Sequence, residues 1–362
     1  MVTVDILILL GTFYLLAKIV DNHFVQSLEM ISAKLKLSSD IAGATFMAIG
    51  SSAPELFVSF LALFRISNEM SIGAGTIVGS AIFNILVIIG ASALFKRATL
   101  TWQPVIRDLT FYIFCILIVL TTFLDGQITI LDALLYVGVY IIYLFSFKVW
   151  RKIFPYEIKS DIDAPELYEE STNKNLFEKA LAIFFFDLNK RPNLYLVNFL
   201  ISVLLIGIAT HFMVEAGVGV AHFFKLSPAV IGLTILAAGT SVPDLLASIN
   251  VAKKGYGDMA VSNAVGSNVF DIGIGLGLPW VIILLITGRN LPVDTENLYS
   301  SVVLLFATVI ALLFLLIAKK WEIGRYAGVL LIASYVFYLL LQIEIVSMSL
   351  CLNIGRSLCF VS

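Results

Sequence analysis

The sequence predicts an all-α integral membrane protein of about ten transmembrane helices, built as two inverted-topology repeats with broken helices at the membrane midplane. Composition, the spacing of apolar stretches and an internal repeat predict this fold. Of the 362 residues, 60% are hydrophobic and only 13% are charged, and the mean hydropathy is +1.00. Soluble domains carry about 25% charged residues. The composition therefore excludes a soluble globular domain.

Apolar stretches recur along almost the whole chain. Each is close to the roughly 20 residues that a helix needs to cross the hydrocarbon core of a bilayer. We therefore predict ten membrane spans. They cover 4–20, 41–64, 72–95, 105–124, 128–149, 194–214, 228–252, 259–287, 298–318 and 326–347.

Basic residues fall almost entirely on one side of these spans. If the N-terminus is outside, 19 of the 23 Lys and Arg residues lie inside, as the positive-inside rule requires. The four on the outer side are Arg65, Lys225, Arg289 and Arg356. We expect both termini outside. The first apolar segment is expected to remain as a span, because no basic region precedes it and no small-residue cleavage site follows.

The chain divides into two membrane halves joined by one polar loop. We predict an N-terminal half over 1–150, a cytoplasmic linker over 151–193, a C-terminal half over 194–347 and a tail over 348–362. The linker is rich in acidic residues but lacks the spaced Asp/Asn/Gly pattern of a Ca²⁺-binding loop. We interpret it as a solvated connection between the halves.

Two segments, 41–95 and 228–287, are copies of one unit. A shift of 189 residues aligns the first block of matches and places Glu55 on Asp244. The identical pairs are Gly43/Gly232, Thr45/Thr234, Ala48/Ala237, Gly50/Gly239, Ser52/Ser241, Pro54/Pro243, Leu56/Leu245 and Ser59/Ser248. A shift of 187 aligns a second block, with the pairs Val78/Val265, Gly79/Gly266, Ser80/Ser267, Phe83/Phe270, Ile85/Ile272 and Gly90/Gly277.

The repeats must have opposite orientations, because they start five membrane crossings apart. Inverted repeats are a recurrent construction of secondary transporters, which bind their substrate at the midplane where broken helices from both halves meet. The segments 50–55 and 239–244 predict such breaks, since Pro removes a backbone donor in mid-span. The freed carbonyl groups should line a protein-enclosed cavity. The hydroxyls of Ser51, Ser52, Thr240 and Ser241 would add neutral oxygen ligands.

Three acidic residues in these spans indicate what the cavity binds. A carboxylate at mid-membrane costs at least about 2.5 kcal/mol, and Glu55, Asp244 and Asp271 all lie there. Their four spans contain no Lys or Arg at comparable depth, so the compensating charge must come from a metal ion or from protons. The other polar groups of the repeats, including Asn84 and Asn268, offer oxygen ligands. Such ligands favour Ca²⁺ or Na⁺ over Zn²⁺ or Cu⁺.

These motifs resemble those of the cation/Ca²⁺ exchanger superfamily, and most closely the potassium-dependent sodium/calcium exchangers. The first repeat reads Gly-Ala-Thr-Phe-Met-Ala-Ile-Gly-Ser-Ser-Ala-Pro-Glu-Leu from Gly43 and Val-Gly-Ser-Ala-Ile-Phe-Asn from Val78. The second reads Gly-Thr-Ser-Val-Pro-Asp-Leu-Leu-Ala-Ser from Gly239 and Gly-Asp-Met-Ala-Val-Ser-Asn-Ala-Val-Gly-Ser-Asn-Val-Phe-Asp from Gly257.

The resemblance implies a complete set of ion ligands. Glu55 and Asp244 would be the principal Ca²⁺ ligands and would each also serve a Na⁺ site. Asp271 would be linked to K⁺, facing Asn84 in the other repeat. The supporting groups would be Ser51, Ser52, Thr240, Ser241, Ser80 and Ser267, together with carbonyls near Ala48 and Ala237.

The function expected is antiport of Na⁺ against Ca²⁺, with K⁺ moving together with Ca²⁺, by alternating access. No enzyme activity, resident cofactor, nucleic-acid ligand or obligate protein partner is expected, and the cell membrane is the expected location. A potassium-independent exchanger and a Ca²⁺/H⁺ antiporter stay open as alternatives. The inverted repeat favours a carrier over a channel, and the motifs of an intramembrane aspartyl protease are absent from the sequence.

Overall fold

The structure, a computed structural model, describes residues 2–65, 70–157, 176–188, 190–224, 231–292 and 295–354, which are mainly helical. The helices of the first half are α1 Val2–Ile19, α2 Val25–Lys34, α3 Ser39–Ala42, α4 Ala48–Ser51, α5 Ala53–Arg65, α6 Met70–Phe83, α7 Ile89–Phe95, α8 Trp102–Thr122 and α9 Ile130–Ile153. The linker contributes α10 Leu176–Ala182. Those of the second half are α11 Tyr195–Phe224, α12 Ala237–Thr240, α13 Val242–Lys254, α14 Gly257–Phe270, α15 Gly277–Thr287, α16 Thr295–Ala318 and α17 Arg325–Ile354.

The predicted number of about ten spans is confirmed. The described residues contain eight helices that are long and apolar enough to cross a membrane, or ten when each bent pair counts as one span. The two bent pairs are 39–51 with 53–63, at 41°, and 232–240 with 242–254, at 46°. These are the two segments in which the sequence predicts broken helices.

The first helix is longer than the sequence suggested. The predicted first span ends at residue 20, just before the polar residues Asp21, Asn22 and His23. Instead, helical structure continues through a π-helical segment at Val20–Phe24 and on to Lys34. The ring of His23 stacks on Phe185 at 3.7 Å. The polar residues therefore mark a change of helix type rather than a helix end.

Each repeat contains two π-helical segments at equivalent positions. The first pair is Gly43–Met47 and Gly232–Leu236, whose starts are 189 residues apart. The second pair is Asn84–Ile88 and Asp271–Leu276, whose starts are 187 residues apart. Single-turn π segments are rare in proteins and occur frequently at functional sites. The two repeats therefore share local helix irregularities as well as residues.

The first π segment of each repeat packs against the helix that follows the bent pair in the other repeat. Gly43–Met47 lies on α14, and Gly232–Leu236 lies on α6. Equivalent glycines make both contacts possible. A Cβ atom on Gly79 would lie 2.5 Å from the carbonyl oxygen of Leu233, and one on Gly266 would lie 2.7 Å from the Cα of Ala44. The two repeats are thus interlocked by backbone contact.

Four two-residue strands tie the loops together. Strand β1 (Ala98–Thr99) pairs antiparallel with β4 (Glu322–Ile323), and β2 (Gln127–Ile128) pairs with β3 (Leu291–Pro292). Both pairs join a loop of the first half to a loop of the second half. Outside this core, large apolar side chains such as Phe145 and Phe314 are exposed, as a lipid-facing surface requires.

The glycine contacts predict a sharp difference between two substitutions. Gly79→Ala should lower the melting temperature of the detergent-purified protein, because the added methyl group would force α6 away from Leu233. Overpacking of this kind costs about 1–3 kcal/mol. Gly138→Ala in α9 is the matched control, since no atom lies within 4 Å of the added Cβ. Equal melting temperatures for the two variants would contradict the close approach.

Candidate cation site

The two bends place a carboxylate in the first turn of the helix that follows. Glu55 lies at the start of α5 and Asp244 at the start of α13, and both residues are fully buried. The prolines Pro54 and Pro243 stand immediately before them, where a missing N–H does not disrupt the helix. A helix N-terminus carries a partial positive charge that favours a carboxylate. The bend thus orients and stabilises the acid.

Each acid interacts with the hydroxyl pair of the opposite repeat. Ser241 donates a hydrogen bond to Glu55 Oε1 at 3.2 Å, and Thr240 also interacts with this carboxylate. Asp244 in turn interacts with Ser51, the repeat equivalent of Thr240. The two carboxylates are close enough for each to act electrostatically on the other. The two helix bends therefore meet and form one common site.

Amide groups at or just before the second π segments close the site. The side-chain nitrogen of Asn84 lies within hydrogen-bonding distance of Asp244 Oδ2 (3.1 Å), Ser267 Oγ (3.1 Å) and Asn268 Oδ1 (2.9 Å). An amide has two hydrogens to donate, so these three acceptors compete for them. Asn268 donates to the carbonyl of Ala81 at 3.2 Å. The amides bridge the two repeats and hold Asp244 in place.

Several oxygen atoms remain available at this point. Within the described parts of the chain, the following buried atoms have no hydrogen-bond partner: Ser52 Oγ, Glu55 Oε2, Asn84 Oδ1, Asp244 Oδ1 and both carboxylate oxygens of Asp271. Every one of them can accept, and none is nitrogen or sulfur. Oxygen-only sets of this kind suit hard cations such as Ca²⁺ and Na⁺.

Asp271 stands apart from the other two acids. It is fully buried and feels the charges of Glu55 and Asp244. However, no three His, Cys, Asp or Glu side chains among the described residues are grouped closely enough to hold one metal ion. The structure therefore brings together two carboxylates with neutral oxygens, and places the third carboxylate beside them.

Some of the predicted residues use their polar groups within their own helix. Ser51, Ser80, Thr240 and Ser267 each donate to a backbone carbonyl three or four residues earlier. The carbonyl oxygens of Ala48 and Ala237 accept from Ser52 N at 3.0 Å and Ser241 N at 3.2 Å. Both carbonyls therefore keep a helical hydrogen bond, because each helix bends only after them. Each oxygen keeps a second lone pair.

Asn263 is a polar residue of the site region that the sequence reasoning missed. It is fully buried, accepts from Ser51 Oγ at 3.4 Å and donates to Ser248 Oγ at 3.0 Å. The internal repeat of the sequence could have identified Asn263. The 187-residue shift places Asn263 on Thr76, another fully buried polar residue within a span.

The structure contains a second cluster of buried charges. Arg107 donates to Asp108 at 2.8 Å and to Asp40 at 3.2 Å, and all three are buried. Tyr143 and Ser262 also donate to Asp108, at 2.9 and 3.1 Å, so the cluster joins α8, α9 and α14 to α3.

Tyr156, just beyond the end of α9, completes this cluster by donating to Asp40 at 2.9 Å. Burial, together with the charge of Asp40, raises the pKa of Tyr156 above its usual range, so the hydroxyl stays protonated as a donor. Arg107 is one of the 19 basic residues expected on the inner side. The structure adds that it is buried and pairs with two acids.

Two inverted repeats that meet at buried oxygen atoms without hydrogen-bond partners among the described residues are typical of a secondary transporter of cations. The sodium/calcium exchanger protein family matches residues 6–149 and 194–344, and the chain belongs to this family.

Relatives with known names agree with this membership. Sodium/potassium/calcium exchanger 5 of Homo sapiens is 30% identical over 406 residues, spanning 91% of this chain and 80% of that protein. Sodium/potassium/calcium exchanger 1 of Gallus gallus is 27% identical over 511 residues, spanning 91% and 77%.

The fold is also similar to that of a solved exchanger. The structure of the sodium-calcium exchanger NCX_Mj soaked with 10 mM Na⁺ and zero Ca²⁺ superposes with a TM-score of 0.63 at 26% identity. The match covers 93% of this chain and 98% of that chain. The predicted fold class is confirmed.

Removing Arg107 should destabilise the protein strongly. Arg107→Met would leave Asp40 and Asp108 as buried, unpaired carboxylates, and breaking a buried pair costs about 3–5 kcal/mol. Arg97→Gln is the control, because Arg97 pairs with Glu322 at an exposed position, where a pair contributes at most about 1 kcal/mol. Thermal unfolding of both purified variants checks this, and a similar melting temperature for both would exclude the structural role of Arg107.

Proposed function

We propose that the chain exchanges Na⁺ for Ca²⁺ across the membrane by alternating access, and that K⁺ moves together with Ca²⁺. The observation that best supports this is the pair Glu55 and Asp244. Both are fully buried, carry free carboxylate oxygens and lie where two inverted, bent helices cross. Buried carboxylates without a basic partner need a bound cation or a proton.

In this proposal Glu55 and Asp244 are the principal Ca²⁺ ligands, and each also serves Na⁺. Neutral oxygens complete the coordination, since Ca²⁺ takes about 6–8 oxygen ligands. The proposed contributors are Ser51, Ser52, Thr240, Ser241, Ser80, Ser267, Asn84, Asn268 and the carbonyls of Ala48 and Ala237. Because the same carboxylates serve both ions, Na⁺ and Ca²⁺ occupancy exclude each other. Transport follows from this competition.

Asp271 is the proposed reason for K⁺ coupling. The relatives described above are named sodium/potassium/calcium exchangers, and one ionised carboxylate beside the other two calls for one further positive charge. One Ca²⁺ and one K⁺ together neutralise Glu55, Asp244 and Asp271. A neutral, loaded site is the state in which the helices can rearrange without exposing a net charge to hydrocarbon.

The transported ions are cargo, and the proposal includes neither an enzymatic reaction nor a resident cofactor. Inorganic cations and the surrounding lipid are the only partners it requires. We place the chain in the cell membrane with both termini outside. The segregation of Lys and Arg onto one side of the spans supports this orientation.

Uptake of ⁴⁵Ca²⁺ into proteoliposomes preloaded with Na⁺ tests the function. The native protein should take up Ca²⁺ only with an outward Na⁺ gradient, and replacing external K⁺ by choline should abolish the uptake. Asp271→Asn should keep Na⁺-driven uptake and lose the K⁺ requirement. Glu55→Gln should reduce uptake by more than about tenfold, because one Ca²⁺ ligand charge is lost, and tenfold corresponds to only about 1.4 kcal/mol.

Glu322→Gln is the control for this assay, because Glu322 belongs to a pair that lies on the surface, away from the bends. It should transport like the native protein. Na⁺-driven uptake that ignores K⁺ would remove the potassium part of the proposal and leave a plain Na⁺/Ca²⁺ exchanger. Uptake driven by a pH gradient alone would overturn the Na⁺ assignment in favour of Ca²⁺/H⁺ antiport.

The orientation is tested with peptide tags in two loops. A tag inserted between Gly288 and Arg289 should bind antibody on intact cells, because this loop is proposed to face outside. A tag inserted within residues 158–175 should bind antibody only after permeabilisation. The opposite labelling pattern would invert the proposed topology.

A further inference from the structure

Two tyrosines beside the site carry hydroxyl groups that nothing in the described chain satisfies. Tyr112 of α8 is fully buried and Tyr140 of α9 is 4% exposed, and neither hydroxyl has a hydrogen-bond partner among the described residues. Other buried tyrosines on α9 do have partners. Tyr136 pairs with Thr122 at 2.6 Å, and Tyr143 donates to Asp108 at 2.9 Å. Buried hydroxyls are normally satisfied, so these two require an explanation.

Both tyrosines lie next to Asp271. The charge of Asp271 acts on each hydroxyl, and Tyr112 also lies beside Asn268. The Tyr140 ring packs edge-on against Phe270 at 5.5 Å. A Cβ on Gly273 would lie 2.7 Å from the Cβ of Tyr140, so α9 presses directly on the π segment Asp271–Leu276. Two phenol oxygens that make no hydrogen bond to the Asp271 carboxylate thus lie near it.

The other repeat provides a natural comparison. Tyr335 of α17 packs edge-on against Phe83 at 5.3 Å, and Phe83 is the repeat equivalent of Phe270. Its hydroxyl is also buried and unpartnered within the described residues. There the π segment begins with Asn84 instead of an acid. The tyrosine arrangement therefore occurs twice, but a carboxylate accompanies it only once.

We propose that Asp271, Tyr112 and Tyr140 form a separate subsite for a monovalent cation, with the two phenol oxygens as neutral ligands. This deepens the proposed function and rests on it. One carboxylate and two hydroxyls match a single positive charge, whereas a divalent ion would leave an excess charge in a buried position. The pair Glu55 and Asp244 matches the divalent ion. Neutral oxygens at fixed positions replace the hydration shell of a monovalent ion, so the tyrosines determine its selectivity.

The subsite is tested by removing one hydroxyl at a time. In Na⁺-loaded proteoliposomes, Tyr112→Phe and Tyr140→Phe should raise the K⁺ concentration for half-maximal ⁴⁵Ca²⁺ uptake by about tenfold, as expected for loss of one ligand to a charged group. They should also change the order of preference among Li⁺, K⁺ and Rb⁺. The Ca²⁺ concentration for half-maximal uptake at saturating K⁺ should stay unchanged.

Two matched controls are available within the chain. Tyr136→Phe removes a hydroxyl one turn away on α9 that already has a partner in Thr122. Tyr335→Phe removes the equivalent unpartnered hydroxyl at the repeat that lacks the acid. Both should keep the native K⁺ dependence. A tenfold K⁺ shift in the controls as well would overturn the proposal, because it would indicate a general packing effect.

A second readout avoids transport altogether. A cation that binds the folded protein raises its melting temperature, so K⁺ should stabilise the detergent-purified native protein and both controls. The K⁺-dependent shift should be smaller in Tyr112→Phe and Tyr140→Phe. If both variants retain the native shift and the native K⁺ activation, the tyrosines are not ligands.

Failure of the subsite and failure of the proposed function are distinguishable. A K⁺-dependent native protein whose Tyr112→Phe and Tyr140→Phe variants behave normally overturns the subsite only. A native protein that ignores K⁺ overturns the potassium part of the proposed function. The subsite is then judged by the Na⁺ dependence of the same four variants, and an unchanged Na⁺ dependence in Tyr112→Phe and Tyr140→Phe overturns it.

Discussion

The burial of Glu55 and Asp244 without a basic partner among the described residues is the constraint on which the structure depends. Among the described residues, the buried arginine Arg107 is committed to a different pair of acids, Asp40 and Asp108. The chain thus accommodates buried acidic residues in two different ways. In the Arg107 cluster a basic side chain compensates buried acids and joins helices, while the acids at the bends keep free oxygens without such a partner among the described residues. A permanent partner at the bends would occupy the oxygens that a transported cation needs.

The arrangement of the backbone keeps the carboxylate oxygens of Glu55 and Asp244 available for a cation. Each bend ends one helix and starts the next with an acid, and the first π segment of each repeat packs on the other repeat through a glycine contact at Gly79 or Gly266. Because Ser241 contacts Glu55 and Ser51 contacts Asp244, every acid depends on the opposite repeat for its neutral neighbours. A relative movement of the repeats therefore changes the ligand set of both acids together. This coupling is what alternating access requires of an inverted repeat.

The sequence predicted those features that leave a periodic or repeated trace. The spans follow from hydropathy, the bends from Pro54 and Pro243, and the site acids from the match of Glu55 with Asp244. Hydropathy could not show the π segments, because a change of hydrogen-bond register leaves the apolar pattern intact. The position of Arg107 was also hidden, since a basic residue near a span end looks the same whether it faces water or a buried acid.

The symmetry of the fold is broken at one position, and that difference carries chemical meaning. Phe83 with Tyr335 and Phe270 with Tyr140 form the same edge-on contact in the two repeats, yet the next residue is Asn84 in one and Asp271 in the other. Asn84 turns its amide to Asp244, Ser267 and Asn268, so it stabilises the central site as a donor. Asp271 can only accept when ionised. The two symmetric repeats thus allow access to the site from both sides of the membrane. The replacement of the Asn84 amide by the Asp271 carboxylate in the second repeat adds one negative charge beside the central site.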